Sequence, residues 1–278
     1  MSPSKSVIVD RLRAAGCVFA EEEADILHAS AGSPDELDTM VGLRMGGLPL
    51  EQVVGWAEFH GLRIAVDPGV FVPRRRSEFL ADTAIALFPV APPQRAVVVD
   101  LCCGTGALGI AVASAIGVIE PGARGGGIAK RRTVELHAAD LDPAAVACAR
   151  RNVEPAGGRV YQGDLFAPLP DSLRGRIGIL ICNAPYVPTD EIAFMPPEAR
   201  DHEARVALDG GSDGLAILRR VSAETPAWLA PGGFLIVETS QRQAPSMVAA
   251  MTAAGLAAQV HSDDETGANV VTGTRLPQ

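Results

Sequence analysis

Apolar residues recur at helical spacing through the first 60 positions: Val7, Ile8 and Leu12, then Ala24 and Leu27, then Leu37, Met40 and Val41. Ser33-Pro34-Asp35-Glu36 marks a helix start, with Ser33 as cap, Pro34 in the first turn and Glu36 three positions after the cap. The first strand-like alternation comes at 62–66. It meets Asp67-Pro68-Gly69 and then Val70, Phe71 and Val72, which predicts a β-hairpin joining two units. From Arg95 onward the pattern changes. β-rich apolar runs at 96–101, 134–139, 159–162, 177–182, 234–238, 258–261 and 269–274 alternate with helical stretches at 107–116, 143–152, 214–229 and 244–254. Asp142 is the expected cap of the second of these helices, with Pro143 at its first position. Such alternation predicts an α/β fold: a mostly parallel sheet with helices on both faces, which binds ligands at the carboxyl ends of its strands. Two stretches carry no such signal. Residues 117–132, rich in Gly, read as a flexible loop, and 189–212, polar and Pro-rich, read as a surface excursion or a lid over the ligand-binding edge.

With 278 residues, the chain suits one large α/β unit and a smaller companion. Its 47% hydrophobic and 21% charged residues are those of an ordinary globular protein. A net charge of −9 argues against a broad grip on nucleic acid, although Arg74-Arg75-Arg76 forms a local basic patch. Cys17, Cys102, Cys103, Cys148 and Cys182 form no CxxC pair and have no His at metal-ligand spacing, so no metal site is expected. An odd number of cysteines in a chain whose first 13 residues lack a signal peptide's apolar core predicts a reduced, cytoplasmic protein. The apolar run from 107 ends at Glu120, short of the roughly 20 residues of a membrane span.

Candidate chemistry sits where the strands end. In "VVVDLCCGTGALG" a strand runs into Asp100, then Gly104 and Gly106 precede a helix. Glycines there allow a sharp turn and close approach of backbone to a ligand. The pattern fits GxGxxG, which on its own is also a dinucleotide fingerprint. A pyrophosphate, however, prefers the positive end of a helix without an adjacent anion. Asp100 therefore favours a ligand bearing an ammonium or sulfonium group, and S-adenosylmethionine bears both. At the second strand end, Asp140 is the expected ribose ligand, because Asp142 is committed to capping. The separation of Gly106 from Asp140 exceeds the usual gap of roughly 20 residues, and the Gly-rich stretch between them accounts for the excess. At the third, Asp164 can accept from an adenine amino group, and Leu165 or Phe166 can cover the ring.

The fourth strand ends in Asn183-Ala184-Pro185-Tyr186. A planar NH2 group is a poor nucleophile because its lone pair is delocalised. Asn183 offers a side-chain carbonyl to one of its hydrogens, and Ala184 a backbone carbonyl to the other. Pro185 lacks an N–H and holds Ala184 extended, and Tyr186 presents a flat face.

These four residues resemble the NPPY motif of methyltransferases acting on planar NH2 groups of glutamine, adenine or cytosine. More of the chain is similar to bacterial protein-(glutamine-N5) methyltransferases that modify peptide-chain release factors. The similarity runs through "RMGGLPLEQVVGWAEFHGLRIAVDPGVFVPRRRSE", "DLCCGTG", "GDLF", "HEARVALDGGSDGL" and "LAPGGFLIVE". The resemblance implies a Rossmann-like seven-stranded methyltransferase sheet with a reversed final hairpin and a small N-terminal helical domain. It divides the chain into a helical bundle at 1–60 for substrate recognition, a hairpin linker at 61–78 and a catalytic domain at 79–278. It implies S-adenosylmethionine as donor and, as partner, a release-factor-like protein with an exposed glutamine in a Gly-Gly-Gln loop; of the oligomeric states, which the sequence leaves open, a monomer is favoured. The expected cofactor contacts are Asp100, Cys102, Gly104, Thr105, Gly106, Asp140, Leu141, Asp164, Leu165 and Asn183, and the expected acceptor contacts are Asn183, Ala184, Pro185 and Tyr186. The chain departs from the family at Cys102, where Gly is usual, and at Ala184 and Ala204, where Pro is usual. It departs also in "VPRRRSE", which marks a divergent member. The competing readings are an adenine or cytosine amino-methyltransferase of nucleic acid, disfavoured by the acidic charge, a dehydrogenase, which leaves Asn183–Tyr186 without a role, and a nonenzymatic binder of an adenosyl ligand.

Overall fold

The computed structural model describes residues 4–89, 95–119 and 133–277. The helical pattern of the N-terminal region folds into α1 (Lys5–Ala14), α2 (Ala20–Ser30), α3 (Pro34–Met45) and α4 (Leu50–Val54). Ile8, Leu12, Leu27 and Val41 meet in a buried cluster of their own. The start of α3 is built as its sequence predicts: the Ser33 hydroxyl accepts the Glu36 N–H at 3.2 Å, and the Glu36 carboxylate reaches back to the Gly32 N–H at 2.7 Å.

A hairpin follows, but not the expected one. β1 (Trp56–Phe59) pairs antiparallel with β2 (Leu62–Ala65), Trp56 opposite Ala65 and Phe59 opposite Leu62. Its turn is His60-Gly61, both at positive φ (52° and 71°), the conformation of a two-residue hairpin turn. The hairpin therefore lies within 56–65 and not within 61–78, and Val70–Val72 form no strand. Each valine is anchored separately instead: Val70 packs with Ala145 and Cys148, and Val72 with Ala57 and Val66. The "WAEF" run offers only one alternation, so it reads as a continuation of the preceding helix until its pairing with β2 is seen.

Beyond α5 (Glu78–Leu87) the chain alternates through β3 (Arg95–Leu101), α6 (Ala107–Ile116), β4 (Val118–Ile119), β5 (Thr133–Asp140), α7 (Pro143–Val153), β6 (Arg159–Gln162) and β7 (Ile177–Cys182). It continues through α8 (Pro197–His202), α9 (Ala216–Glu224), β8 (Leu229–Thr239), α10 (Ala244–Ala253), β9 (Ala257–Asp263) and β10 (Ala268–Thr274). The sheet order is β4-β5-β3-β7-β8-β10-β9, with β6 also paired to β5. The two-residue β4 is the addition to the seven strands expected. It pairs with the start of β5, and β6 pairs with the end. Pairing is parallel except for β10, which runs antiparallel to β8 and β9. This is the reversed final hairpin.

Both faces of the sheet are buried, as a parallel sheet requires. Along β3, Val98 faces a core with Ala111, Leu136 and Ile179, while Val97 and Val99 face another with Leu180, Leu218 and Met247. Pro231-Gly232-Gly233 lies inside β8, and the register of β8 against β7 shifts beside it. The Gly-rich loop expected at 117–132 lies outside the described residues from 120 onward. The 189–212 stretch is structured, holding α8 between two 3₁₀ turns, Thr189–Phe194 and Arg205–Ala207. No described helix is long and apolar enough to cross a membrane.

Arg44, at the end of α3, joins these parts. Its guanidinium donates to Glu23 of α2 at 2.6 and 3.0 Å, to the Leu48 carbonyl at 3.2 Å, and pairs with Glu198 of α8 at 3.0 Å. Removing one partner of a buried pair strands the other. Arg44→Met is therefore expected to cost about 3 kcal/mol in urea denaturation, most of it from the uncompensated Glu23.

Candidate active site

The carboxyl ends of β3, β5, β6 and β7 open onto one cavity. Its wall includes Cys102, Gly104, Thr105, Asp140, Leu141, Asp164, Leu165 and the whole of Asn183–Tyr186. These are most of the residues that the sequence singles out, brought together from four strand ends. Asp100 and Gly106 stand behind the wall instead. Gly106 is at φ 79°, and a Cβ there would come within 2.6 Å of Val153 Cγ2, so its role is close packing of α6 on α7. Gly104 is at φ 54° with open space where a Cβ would stand, which leaves bare backbone at the cavity wall.

Asp100 is only 1% exposed. Its Oδ2 accepts the Gly109 N–H at 2.8 Å, and its Oδ1 is buried without a hydrogen-bond partner. Burial pushes this carboxyl up to about 8, against the pull of the Gly109 N–H and with help from the nearby Asp140 charge. Asp140 ties two strand ends together. Its Oδ2 accepts the Gly104 N–H at 2.8 Å and its Oδ1 the Asp142 N–H at 2.9 Å, so the second acid shapes the glycine turn of the first. Asp142 accepts from the Ala144 N–H at 3.0 Å and caps α7, as expected. Asp164 is engaged by Arg220 of α9 at 2.6 and 3.3 Å, across the cavity rim. Leu165 lines the cavity at φ 50°, whereas Phe166 is buried against Trp228, with ring centroids 5.2 Å apart, and stands outside the cavity wall.

The acceptor side turns on a residue to which the sequence assigned no role, Glu238 at the end of β8. Its Oε2 accepts from Ser77 Oγ at 2.5 Å and from Asn183 Nδ2 at 3.2 Å, and its Oε1 accepts from the Tyr186 hydroxyl at 2.8 Å and pairs with Arg76 Nε at 3.0 Å. Asn183 Nδ2 also donates to Ser77 Oγ at 3.3 Å. Asn183 Oδ1 and the Ala184 carbonyl accept no hydrogen bond among the described residues. Burial, then the Glu238 charge, raises the Tyr186 phenol above its ordinary range. Arg76 lies over the Tyr186 ring, 5.7 Å from its centroid, and contacts its hydroxyl. Tyr186 is held from behind as well: its carbonyl accepts Gln243 Nε2 at 2.9 Å, and a Cβ on Gly214 would run into it.

Two of the three clustered arginines thus belong to the site. Arg74 packs over Phe71 at 4.9 Å and donates to Glu203 at 2.5 Å. Glu203 also accepts the Val72 N–H at 3.1 Å, and burial raises its carboxyl above the ordinary range. It pins the 195–208 segment, whose Met195, Val206 and Leu208 close one side of the cavity. The signal for Glu238 was available: it is an acid terminating a buried apolar strand, as Asp100 and Asp140 are. Ser77, Arg76, Arg220 and Glu203 carry no local signal, because their partners are distant in sequence. Among the described residues no group of three or more His, Cys, Asp or Glu side chains could hold a metal ion.

Cys102 sits at φ 54°, where Gly is the comfortable residue. A left-handed L-residue costs roughly 1–2 kcal/mol, so Cys102→Gly is expected to be more stable than Cys102→Ala by about 1 kcal/mol in urea denaturation. That reverses the ordinary order of Gly and Ala. Asp100 gives a second expectation. Because its folded pKa lies above the ordinary 3.8, the folded chain keeps a proton that the unfolded chain has lost. Its contribution is present at acid pH and is lost as pH rises to about 8. Asp100→Asn should flatten the decline of ligand-free stability across that range.

The chain is 34% identical over 249 residues to the release factor glutamine methyltransferase of Geobacter sulfurreducens, covering 88% of this chain and 80% of that one. It is 31% identical over 291 residues to the one from Cereibacter sphaeroides, covering 97% and 96%. It is also 32% identical over 243 residues to a 4-amino-L-phenylalanine/4-methylamino-L-phenylalanine methyltransferase of Streptomyces pristinaespiralis, covering 82% and 77%. A solved methyltransferase from Pyrococcus furiosus superposes with a TM-score of 0.53 at 14% identity, over 78% of this chain and 90% of that one, and shares its Rossmann-like fold. No family model matches the chain. Identity of this level, sustained over four fifths or more of such relatives, means that the chain belongs to the release factor glutamine methyltransferase family.

Proposed function

We propose that this chain methylates the side-chain amide nitrogen of a glutamine in a peptide-chain release factor, with S-adenosylmethionine as methyl donor. The observation that carries this reading is the pair of unclaimed acceptors on the cavity wall, Asn183 Oδ1 and the Ala184 carbonyl, beside an Asn183 nitrogen that is committed elsewhere. A primary carboxamide has two coplanar N–H donors and a nitrogen whose lone pair is delocalised. Two acceptors engage both hydrogens and fix the direction in which that nitrogen points. Pro185 brings no competing N–H, and Tyr186 gives the amide a flat wall. Positioning of this kind is worth up to roughly 7–11 kcal/mol of barrier.

The residues present suit the donor. Gly104 leaves backbone open to the cavity, Asp140 lies next to it, and Leu141 and Leu165 supply apolar surface. Asp100 sits behind the turn with its carboxyl pushed up to about 8, so at neutral pH it adds no full negative charge to select the sulfonium. Gly104, Asp140, Leu141 and Leu165 would hold the nucleoside portion, with Asp164 available to an adenine amino group only while sharing its charge with Arg220. Bound there, S-adenosylmethionine supplies an electrophilic methyl group on a sulfonium sulfur. The names of the relatives support a release factor as the acceptor. Five unpaired cysteines support a reducing, cytoplasmic setting.

The test offers methyl-labelled S-adenosylmethionine with a release factor, its Gly-Gly-Gln Gln→Ala variant, RNA, or 4-amino-L-phenylalanine. Label is expected on the intact release factor alone. Transfer confined to RNA or to the free amino acid would replace the glutamine reading. Asn183→Ala should lower kcat on the release factor about 10²–10³-fold while cofactor affinity stays within about threefold, because the lost acceptor contacts the amide and not the donor.

A further inference from the structure

A carboxamide side chain has nearly the same shape either way round, so shape alone does not determine which end of Asn183 meets the acceptor. The clamp works with Oδ1 forward and fails with Nδ2 forward, since a donor there would oppose the N–H groups of the substrate. Something must therefore fix the polarity of this amide. Glu238 is 2% exposed, comes from a different strand, and as a carboxylate can only accept. Its Oε2 takes Asn183 Nδ2 at 3.2 Å, and by also taking the Ser77 hydroxyl at 2.5 Å it turns the Ser77 lone pairs toward the same Nδ2, 3.3 Å away. Two acceptors 2.5 Å apart thus face the nitrogen from one side, and Oδ1 is left for the acceptor.

We infer that Glu238 is a positioning residue that sets the polarity of the acceptor clamp by claiming the nitrogen of Asn183. The inference rests on the glutamine reading above, in that it gives Asn183 Oδ1 the role of acceptor. The other oxygen of Glu238 makes the arrangement hard to reverse. It faces Arg76 Nε at 3.0 Å, a group that can only donate, so a carboxamide at 238 must put its own oxygen there. Its NH2 then faces Ser77 and Asn183. Ser77 answers by rotating its hydroxyl and Asn183 by turning over, and the turn places Nδ2 where the substrate needs an acceptor.

Glu238→Gln, isosteric but able to donate, is the informative variant, and Glu238→Asp, shorter but still acceptor-only, is its counterpart. On the release factor, Glu238→Gln should lower kcat about 10²-fold with cofactor Kd unchanged within about twofold, and Glu238→Asp should retain more activity than Glu238→Gln. A purely structural role predicts the opposite order, because Gln preserves the packing and Asp does not. A second readout needs neither substrate nor turnover. In the ligand-free protein the side-chain amide protons of Asn183, assigned by their loss in Asn183→Asp, should exchange with solvent slowly in the wild type and in Glu238→Asp. In Glu238→Gln the exchange should be about tenfold faster or more, since the charge-assisted bond is gone. Wild-type kcat in Glu238→Gln, greater loss in Glu238→Asp than in Glu238→Gln, or unchanged Asn183 exchange would each overturn the inference. If the wild-type enzyme fails to methylate any release factor, the glutamine reading falls, and the exchange measurement still decides whether Glu238 orients Asn183.

Discussion

Four donors converge on one buried carboxylate, and the acceptor half of the cleft follows from that. Glu238 gathers Ser77 and Arg76 from the segment before α5 and Asn183 and Tyr186 from the end of β7. An ionised carboxylate in so dry a place demands donors on both oxygens, and every polar group within reach is a donor or can become one. The demand aligns two stretches of chain more than a hundred residues apart. It also explains why an Arg lies against the Tyr186 ring: the guanidinium balances the Glu238 charge that would otherwise be uncompensated.

The donor half is organised by a second buried acid with a different duty. Asp140 uses its two oxygens on the Gly104 and Asp142 N–H groups, so the turn after β3 and the turn after β5 are held as one piece. A residue read as a ligand contact is thus first a scaffold, and its carboxylate keeps lone pairs for a ligand. Asp100 goes further into the scaffold. It lies behind the turn, tied to Gly109, away from the cavity wall. Strain lies along the cavity wall: Cys102 and Leu165 take left-handed backbone there, a conformation that costs Gly104 between them nothing.

The third side of the cleft comes from the segment built of α8 and the short 3₁₀ turn after it. Glu203 holds it to Val72 and Arg74, and Glu198 holds it to Arg44 of the N-terminal helices. The same ion pairs that close the cavity therefore connect it to the helical layer. A basic triplet that looks like a solvated patch is split by this arrangement: Arg74 and Arg76 pair with buried acids, Arg76 with its own side chain still half exposed, and Arg75 is exposed.

Seven of the sheet's strands were legible in the amino-acid sequence because each is a short apolar run followed by a turn or a helix cap, and those are local properties; the two-residue β4 was not. The caps at Ser33 and Asp142, the glycine turn at Gly104 and Gly106 and the strand-end motif at Asn183–Tyr186 were legible for the same reason: each is a few adjacent residues whose backbone or hydrogen-bonding preference is intrinsic. The β1–β2 hairpin was not, because four residues with one alternation carry no preference that their partner strand does not supply. Neither were the duties of Ser77, Arg76, Glu203, Arg220 and Glu238, nor the retreat of Asp100 and Phe166 from the cavity wall. A charged side chain is read from its partner, and the hydrogen-bond partners of those five side chains lie 52 to 161 positions away. What the chain determined by itself was the set of groups delivered to one edge of a sheet. Which way each group faces was decided only when burial removed water and left every donor to find an acceptor inside the fold.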